Sequence, residues 1–488
     1  MQAGRIAAAR FAIRLRMATR EKPVSETDFM TAGELAALFR SGALSPVEAL
    51  EAALARAEIV QPRLNPFRLV HAAQARAAAR AAEARYRAGA PLSPLDGVPA
   101  AIKDNHAFAG QPKTAGSRSN AQLPPMTEDA LHIARLREAG AVIFARTNMP
   151  DLGWKGVNDS PLHGVTRNPW NADLTPGGSS GGSAVAVATG CAAIATGGDG
   201  GGSIRIPAAF TGTYGLKPTT GRIPGLYDSP AGDLVAPGPI TRCVADAAAA
   251  MAVMCCGDVR DPMAAALSVP DFVAEAGRGV AGLRVAVSAT CGFVEMDAAR
   301  LAPIEEAAKV LADAGAIVEW ADPPAWNARD AFATIWEAAY ASAVVAMSGE
   351  QVALLDPGLI EVARRGMMDS AAAEKLAQAE RTRLMHAFIR FFGTWDLLIT
   401  PTMPIAPFAA GPGVNTPDPA RYPAWYDWTP FTWLFNATKM PAASCPWGLD
   451  ETGLPQGVQV VATHFREDLV LRASAVLEAA KPFQAPPE

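Results

Sequence analysis

The apolar and polar positions in the first part of the chain follow the period of amphipathic helices. Capping boxes begin at Thr31 and at Ser45, each with a glutamate three residues later, and predict two helices. The first should end at Gly42 and the second before Pro62, because glycine and proline commonly terminate helices. An alanine-rich stretch predicts a third helix over residues 74–87. We expect these helices to form an N-terminal layer on the sheet that follows.

The pattern then changes to short apolar runs that alternate with amphipathic stretches, which is typical of a sheet flanked by helices. Two stretches, 197–240 and 403–430, are irregular and rich in glycine or proline, and a loop as long as the first is more often functional than idle. The predicted strands are 98–103, 141–145, 191–196, 283–287, 317–320, 397–400 and 458–461. The helices predicted between them are 128–138, capped by Thr127, and 182–189.

Composition limits the possible functions. Charges of both signs are interspersed, with a formal net charge of -5 over 488 residues, so no basic stripe is available for a phosphate backbone and we expect no nucleic-acid partner. No apolar run reaches the roughly 18 residues of a membrane span, so we expect no membrane association. The 6 cysteines form no Cys-x-x-Cys pair, which favours buried thiols and a cytoplasmic protein.

Residues 1–25 differ from the rest of the chain. Arginine is frequent before Glu21 and no acidic residue precedes it, which fits a disordered basic tail, or a start assigned upstream of Met17. The same composition is typical of an organelle transit peptide. The sequence leaves these interpretations open.

Two segments combine a candidate nucleophile or base with an unusual local sequence. Lys103 ends an apolar strand, where a lysine is commonly no more than a solvated strand terminus. Residues 175–183 form a glycine- and serine-rich turn before an apolar helical stretch. That turn can be a helix cap, a phosphate-binding loop or a nucleophile elbow centred on Ser180. The phosphate loop lacks its Gly-Lys-Ser/Thr ending, and the elbow lacks a strand that leads straight into it.

The third segment, residues 197–208, contains 5 glycines around Asp199. Glycine loses much conformational entropy on folding, so this run indicates backbone conformations or close approaches that a Cβ would prevent. We expect Asp199 and Arg205 to pair across the loop, the alternative being two unrelated surface charges. Consecutive amides in the loop can form a nest that binds an oxyanion. These amides belong to Gly200, Gly201, Gly202 and Ser203.

Together these segments resemble the amidase signature family. Ser179 and Ser203 are 24 positions apart, with Lys103 upstream on a predicted strand. Further blocks resemble those of the family in the expected order, over roughly residues 30–480. These blocks are Arg146-Thr147-Asn148-Met149-Pro150, Arg167-Asn168-Pro169-Trp170, Tyr214-Gly215-Leu216-Lys217-Pro218-Thr219, Leu398-Ile399-Thr400-Pro401-Thr402-Met403-Pro404 and Gly453-Leu454-Pro455-Gln456-Gly457.

The resemblance implies an α/β fold with a central mixed, twisted sheet, helices on both of its faces and an N-terminal helical layer. It implies one domain over residues 26–485. The parts of that domain would be N-terminal helices (26–95), a catalytic core (96–245), a variable substrate-facing part (260–440), and C-terminal strands with a helix (441–482).

The resemblance also implies roles for individual residues. Ser203 would be the nucleophile, Ser179 would follow a cis peptide bond and relay protons, and Lys103 would be the general base. The amides of residues 200–203 would bind the oxyanion. Supporting residues would be Asp199, Arg205 and Ser180.

Lysine can take a proton from a serine only as the neutral amine. Its pKa of about 10.4 would have to fall by roughly 3 units, which requires on the order of 4 kcal/mol against the ammonium form. Burial at the end of an apolar strand can supply this free energy. Successive strand side chains point to opposite faces, so we expect Asp104 to point away from Lys103.

Aromatic residues in the second half of the chain favour a hydrophobic substrate pocket, although the same residues would suit a protein core. The candidate pocket residues are Trp336, Tyr340, Tyr422, Trp425, Trp428 and Trp433.

The predicted function is hydrolysis of a carboxylic amide C–N bond, on aryl or alkyl amides, through an acyl-enzyme on Ser203. The alternatives are a carbamate (urethane) or ester hydrolase with the same triad, the catalytic subunit of a glutamyl-tRNA amidotransferase, and a non-catalytic anion-binding module. We expect no cofactor and no metal, because none of the 6 histidines has metal-ligand spacing. We expect a small-molecule substrate and a monomer or homodimer.

Overall fold

The computed structural model describes residues 27–225, 229–255, 257–265, 268–296 and 300–487, so the predicted tail over 1–25 lies outside the described residues. The helices are α1 (Ala32–Ser41), α2 (Pro46–Leu64), α3 (Ala72–Arg87), α4 (Leu131–Glu138), α5 (Gly181–Ala188), α6 (Arg205–Thr211), α7 (Val244–Met254), α8 (Phe272–Ala276), α9 (Ala302–Asp313), α10 (Arg329–Val345), α11 (Gly349–Val352), α12 (Pro357–Met368), α13 (Ala371–Phe391), α14 (Pro430–Ala437) and α15 (Glu467–Ala480). The strands are β1 (Phe67–Val70), β2 (Pro99–Lys103), β3 (Val142–Thr147), β4 (Asp159–Ser160), β5 (Gly164–Val165), β6 (Ile194–Asp199), β7 (Tyr214–Lys217), β8 (Ala236–Thr241), β9 (Arg284–Val287), β10 (Ile317–Trp320), β11 (Leu397–Pro401), β12 (Ala442–Leu449) and β13 (Pro455–Ala462).

A mixed sheet of 11 strands forms the centre of the molecule, in the order β1-β3-β2-β6-β8-β7-β12-β13-β11-β9-β10. Strand β2 is parallel to β3 and β6, and β9 is parallel to β10 and β11. The other neighbours in the sheet are antiparallel. The predicted α/β class with a mixed sheet is therefore confirmed.

Both faces of the sheet are covered by helices. In β11, Leu397 and Ile399 pack into one apolar cluster, whereas Leu398 packs into a second cluster on the opposite face. This alternation follows from the two-residue period of a strand, and a strand buried on both faces is apolar throughout. The N-terminal helices join the same arrangement, with the capping boxes at Thr31 and Ser45 present as predicted.

The register of β2 determines the direction of the Lys103 side chain. Ala100 and Ile102 pack into the cluster on one face, and Ala101 packs on the other face together with the buried side of α5. Lys103 shares the parity of Ala101, so its side chain extends toward α5. Strand β2 therefore places the Lys103 amine next to the turn that precedes α5.

Two predicted helix boundaries were wrong. Helix α2 continues through Pro62 to Leu64, because Leu64 is buried in the core and Asn65, with φ 51°, ends the helix in a left-handed conformation. Helix α4 begins at Leu131 without a side-chain cap, not at Glu128 behind Thr127. The segment before it is held elsewhere, since the carboxylate of Asp129 accepts from the amide of Ala109 at 2.8 Å.

The stretch 197–240 is not the long loop that its composition predicts. It contains the end of β6, helix α6, strand β7 and most of β8, all buried. Strand β6 lies three residues later than the predicted 191–196, because Ala192 and Ala193 belong to the connection that follows α5. The glycines of β6 continue the ladder with β8 up to Asp199, so the candidate nucleophile loop begins directly at a strand end.

The structure also bears on the expected absence of a membrane span and on the cysteines, within the residues that it describes. None of the helices in these ranges has the length and hydropathy of a membrane-spanning segment. The described cysteines form no disulfide, and all but Cys243 are buried, while Cys256 lies outside the described residues.

The contact between α10 and α12 allows a test of packing. An added Cβ on Gly366 would overlap the carbonyl of Glu337, so Gly366→Ala should lower the free energy of unfolding by about 1–3 kcal/mol through overpacking. The matched control is Gly349→Ala on α11, where an added Cβ meets no described atom within 4 Å and a change under about 0.5 kcal/mol is expected. Urea denaturation measures both; equal effects would contradict the close helix contact.

Candidate active site

Lys103 is enclosed at the end of β2. Its side chain is 1% exposed, and its amine lies 2.7 Å from Ser179 Oγ and 3.2 Å from the carbonyl oxygen of Gly198. Burial lowers the pKa of Lys103 to about 7, against the opposing effect of the negative charge on Asp199. The amine is therefore available as a base near neutral pH, and the solvated-terminus interpretation of this lysine is wrong.

Ser179 lies in the turn that precedes α5, and the peptide bond between Gly178 and Ser179 is cis, as expected. The turn is closely packed, because an added Cβ on Gly178 would overlap the carbonyl of Val157. Ser180 caps the helix with its backbone and not with its side chain, and its amide donates to the carbonyl of Ser203 at 3.0 Å. This bond joins the turn to the candidate nucleophile loop.

The loop over residues 199–203 packs against bulky side chains at each glycine. An added Cβ would overlap the Trp425 ring at Gly201 and the Thr432 side chain at Gly202, where φ is 126°. The amide of Gly202, also predicted as an oxyanion donor, donates to Asp199 Oδ1 at 2.7 Å. The described residues provide no acceptor for the amides of Gly200, Gly201 and Ser203, which remain the candidate donors.

Asp199 and Arg205 form the predicted ion pair, and both side chains are fully buried, with Nε and Oδ2 2.9 Å apart. Burial alone would raise the pKa of Asp199, but the charge and hydrogen bonds of Arg205 outweigh it and hold this pKa at about 2. Two residues that the sequence analysis missed complete the cluster: Arg205 donates to Asn436 at 2.7 Å and to Gln459 at 2.8 Å. Asn436 in turn donates to the Asp199 carbonyl.

Asp104 points away from Lys103, as predicted from strand alternation. Its carboxylate accepts from Arg146 Nε at 2.8 Å and from the Thr114 hydroxyl, and lies 3.4 Å from Arg68. Arg146 also donates to the carbonyl oxygens of Asp104 and His106, so the ion pair fixes the backbone beyond β2.

The six candidate pocket residues lie in different surroundings. Trp336 and Trp425 contact the nucleophile loop, since an added Cβ on Gly200 would lie 3.2 Å from Trp336 Cζ3. Trp428 and Trp433 are at most 1% exposed and donate their indole N–H groups to the backbone carbonyls of Asn415 and Tyr426, which favours a core role for them. Tyr340 is buried, and Tyr422 is partly exposed.

Histidine does not bond to either serine in the described structure. His106 and His132 instead bond to each other, with Nδ1 and Nε2 3.1 Å apart, and His132 bonds to the carbonyl of Pro224. No group of three or more His, Cys, Asp or Glu residues within the described ranges could hold a metal ion. No hydrogen bond is found between the hydroxyls of Ser179 and Ser203, both of which are described. Such bonds often tighten only once substrate is bound.

The buried pair next to the loop generates a prediction. Replacement of Arg205 by methionine leaves the Asp199 charge buried and unpaired, so the free energy of unfolding should fall by about 3–5 kcal/mol. Arg364→Met breaks the exposed pair with Glu361 and should cost less than about 1 kcal/mol. Urea denaturation compares the two variants. Similar losses would show that burial does not increase the contribution of the Asp199–Arg205 pair to the free energy of unfolding.

The family model described as Amidase matches residues 48–471. An acylamidase of Rhodococcus erythropolis is 35% identical over 471 residues, which covers 93% of this chain and 96% of that protein. A glutamyl-tRNA(Gln) amidotransferase subunit of Myxococcus xanthus is 36% identical over 476 residues, covering 92% and 96%. The crystal structure of a bacterial aryl acylamidase of the amidase signature family superposes with a TM-score of 0.87 at 31% identity, covering 93% and 97%. The chain therefore belongs to the amidase signature family and is a hydrolase that acts on carbon–nitrogen bonds other than peptide bonds.

Proposed function

We propose that the protein hydrolyses carboxylic amides through an acyl-enzyme on Ser203, with Ser179 as proton relay and Lys103 as general base. The observation that carries this proposal is the 2.7 Å contact between a fully buried amine and the Ser179 hydroxyl. A lysine in this position has no aqueous solvation for its charge, and its amine faces a hydroxyl. The buried amines of Lys155 and Lys217 bond instead to a carboxylate and to a backbone carbonyl.

In the proposed cycle, Ser203 Oγ attacks the substrate carbonyl carbon while its proton passes through Ser179 to Lys103. The amides of Gly200, Gly201 and Ser203 stabilise the negative charge that develops on the carbonyl oxygen. When the C–N bond breaks, Ser179 donates a proton to the leaving nitrogen and regains one from Lys103. Water then attacks the acyl carbon and gives a proton to the same relay. The relay returns this proton to Ser203 Oγ as the bond to the acyl carbon breaks and the acid leaves.

We propose aryl or alkyl amides as the substrate class. The support is the pair of indole rings, Trp336 and Trp425, that contact the nucleophile loop, with Phe332 packed against both at ring-centroid distances of 5.7 and 6.1 Å. Apolar ring faces next to the reacting carbonyl favour an apolar acyl or amine group over a small polar one. The names of two relatives, an acylamidase and an aryl acylamidase, point the same way. Carbamates and esters present a similar carbonyl to the same groups and remain the alternative.

The catalytic subunit of a glutamyl-tRNA amidotransferase is a second candidate. It is favoured by the amidotransferase relative from Myxococcus xanthus, at 36% identity. Such an enzyme would release ammonia from glutamine for a partner protein. Glutaminase activity that appears only on addition of the partner, together with no hydrolysis of anilides, would establish this candidate instead.

A substrate panel tests the proposal. The purified protein should hydrolyse 4-nitroacetanilide and longer acyl anilides with a higher kcat/KM than acetamide, and Ser203→Ala should reduce all of these rates at least about 10³-fold because the nucleophile is lost. A carbamate and an ester are included in the same panel, and a kcat/KM for either that exceeds the values for the anilides would favour the alternative substrate class. Turnover that survives in Ser203→Ala would overturn the assignment of the nucleophile, and a preference for acetamide would overturn the substrate class.

The pH dependence tests the base. The protonated amine of Lys103 cannot accept a proton, so kcat/KM should fall about tenfold per pH unit below a midpoint near 7 and level off above it. Lys103→Met should lower the plateau about 10²–10⁴-fold. Lys217 is a matched control because burial also lowers its pKa to about 7, while its amine donates to the carbonyl of Pro218 and not to a serine. If the midpoint near pH 7 disappeared in Lys217→Met, the titration would belong to Lys217 and the assignment of Lys103 as the base would be wrong.

A further inference from the structure

The 3₁₀ turn Asp151–Gly153 lies directly against the relay serine. An added Cβ on Gly153 would be 3.4 Å from Ser179 Oγ, an ordinary van der Waals distance, so little more than the space of one methyl group separates this turn from the hydroxyl. Gly153 has φ 73°, and Leu152 before it has φ 49°, which is uncommon for a residue with a branched side chain. A left-handed leucine costs on the order of 1 kcal/mol and is kept only where its surroundings hold it.

Two aromatic side chains of α10 hold the carbonyl groups of this turn. The Tyr340 hydroxyl donates to the carbonyl oxygen of Leu152 at 3.1 Å, and the Trp336 indole N–H donates to that of Trp154 at 3.2 Å. Trp336 and Tyr340 are four residues apart on one helix and therefore lie on the same face. Both side chains are buried, and their ring centroids are 5.1 Å apart.

Trp336 reaches the nucleophile loop as well as the turn. The atom Cζ3 of its ring would lie 3.2 Å from a Cβ on Gly200, whose amide is a candidate oxyanion donor. Trp336 thus bonds to the residue that follows the turn and packs against Gly200. Burial raises the pKa of Tyr340, so its phenol keeps the proton that it donates to Leu152.

The remaining supports of the turn act on its other groups. The amide of Leu152 donates to the carbonyl of Ala115 at 2.8 Å, and the Asp151 carboxylate accepts from the amide of Asp356 at 2.7 Å. These bonds fix the start of the turn. The carbonyls of Leu152 and Trp154, on either side of Gly153, are oriented by α10.

We propose that Trp336 and Tyr340 are positioning residues that fix the Asp151–Gly153 turn against Ser179, and so set the direction of the relay hydroxyl. This inference rests on the proposed roles of Ser179 and Ser203. This role replaces the pocket role predicted for Tyr340 and adds to the apolar contact proposed for the Trp336 ring, because the polar groups of both residues bond to backbone carbonyls and are not available to a substrate. A pocket residue affects only substrates that reach it, whereas a positioning residue affects every reaction of Ser203.

A reagent too small to fill a pocket separates these roles. Methanesulfonyl fluoride forms a bond between its sulfur and Ser203 Oγ, with loss of fluoride, and the hydroxyl proton leaves through the relay. Tyr340→Phe removes only the bond to Leu152, and it should slow this inactivation about 5–30-fold. It should lower kcat for 4-nitroacetanilide by a similar factor, with KM changed less than about twofold. Trp336→Phe, which also loses its N–H donor, should slow inactivation in the same way.

The matched control is Tyr214→Phe, since Tyr214 is also fully buried and its hydroxyl forms one hydrogen bond, to Ser474 at 3.2 Å, in the sheet core. This variant should keep the wild-type inactivation rate and shift the thermal unfolding midpoint as much as Tyr340→Phe does. Inactivation of Tyr340→Phe at the wild-type rate would overturn the inference, as would an equal loss in Tyr214→Phe. Wild-type protein that does not react at Ser203 would overturn the proposed function instead.

Discussion

The site depends on the burial of the Lys103 amine beside the Ser179 hydroxyl, with no carboxylate of the described residues in contact. Two carboxylates lie close enough in sequence or space to hold Lys103 as an ammonium ion, and each is already paired with an arginine. Asp104 bonds to Arg146, and Asp199 bonds to Arg205. Because each ion pair is close to neutral as a whole, the desolvation of Lys103 dominates its pKa. The charge on Asp199 still raises the pKa of Lys103, but less than burial lowers it.

The glycines of the candidate nucleophile loop allow side chains from the C-terminal half of the chain to pack against residues 199–203. Trp425 packs where Gly201 has no side chain, Thr432 does the same at Gly202, and the Thr432 hydroxyl donates to the carbonyl of Gly201 at 2.8 Å. Asn436, one turn later on α14, bonds to Asp199. Residues more than 200 positions away in sequence therefore pack against the loop. They can approach this closely because its glycines have no side chains.

Local signals allowed the sequence to predict much of the fold and the candidate site. The capping boxes, the apolar strand before Lys103 and the Asp199–Arg205 pair all depend on residues close in sequence. Asn436 and Gln459 could not be found in this way, since they are 231 and 254 positions from Arg205 and no short pattern marks them. The second helix was predicted to end before Pro62. It continues to Leu64 because the burial of Leu64 outweighs the cost of a proline near the end of the helix.

The aromatic residues show why composition alone could not separate a pocket from a core. Trp336, Trp428 and Trp433 are all almost fully buried, and what distinguishes them is the partner of each indole N–H. Only in Trp336 does the partner, Trp154, follow the turn that lies next to Ser179. Its polar edge is committed to the protein backbone, so the Trp336 indole can present only its ring face to a ligand. Such a face distinguishes ligands mainly by shape and apolar area, and it is separate from the N–H group that bonds to the backbone.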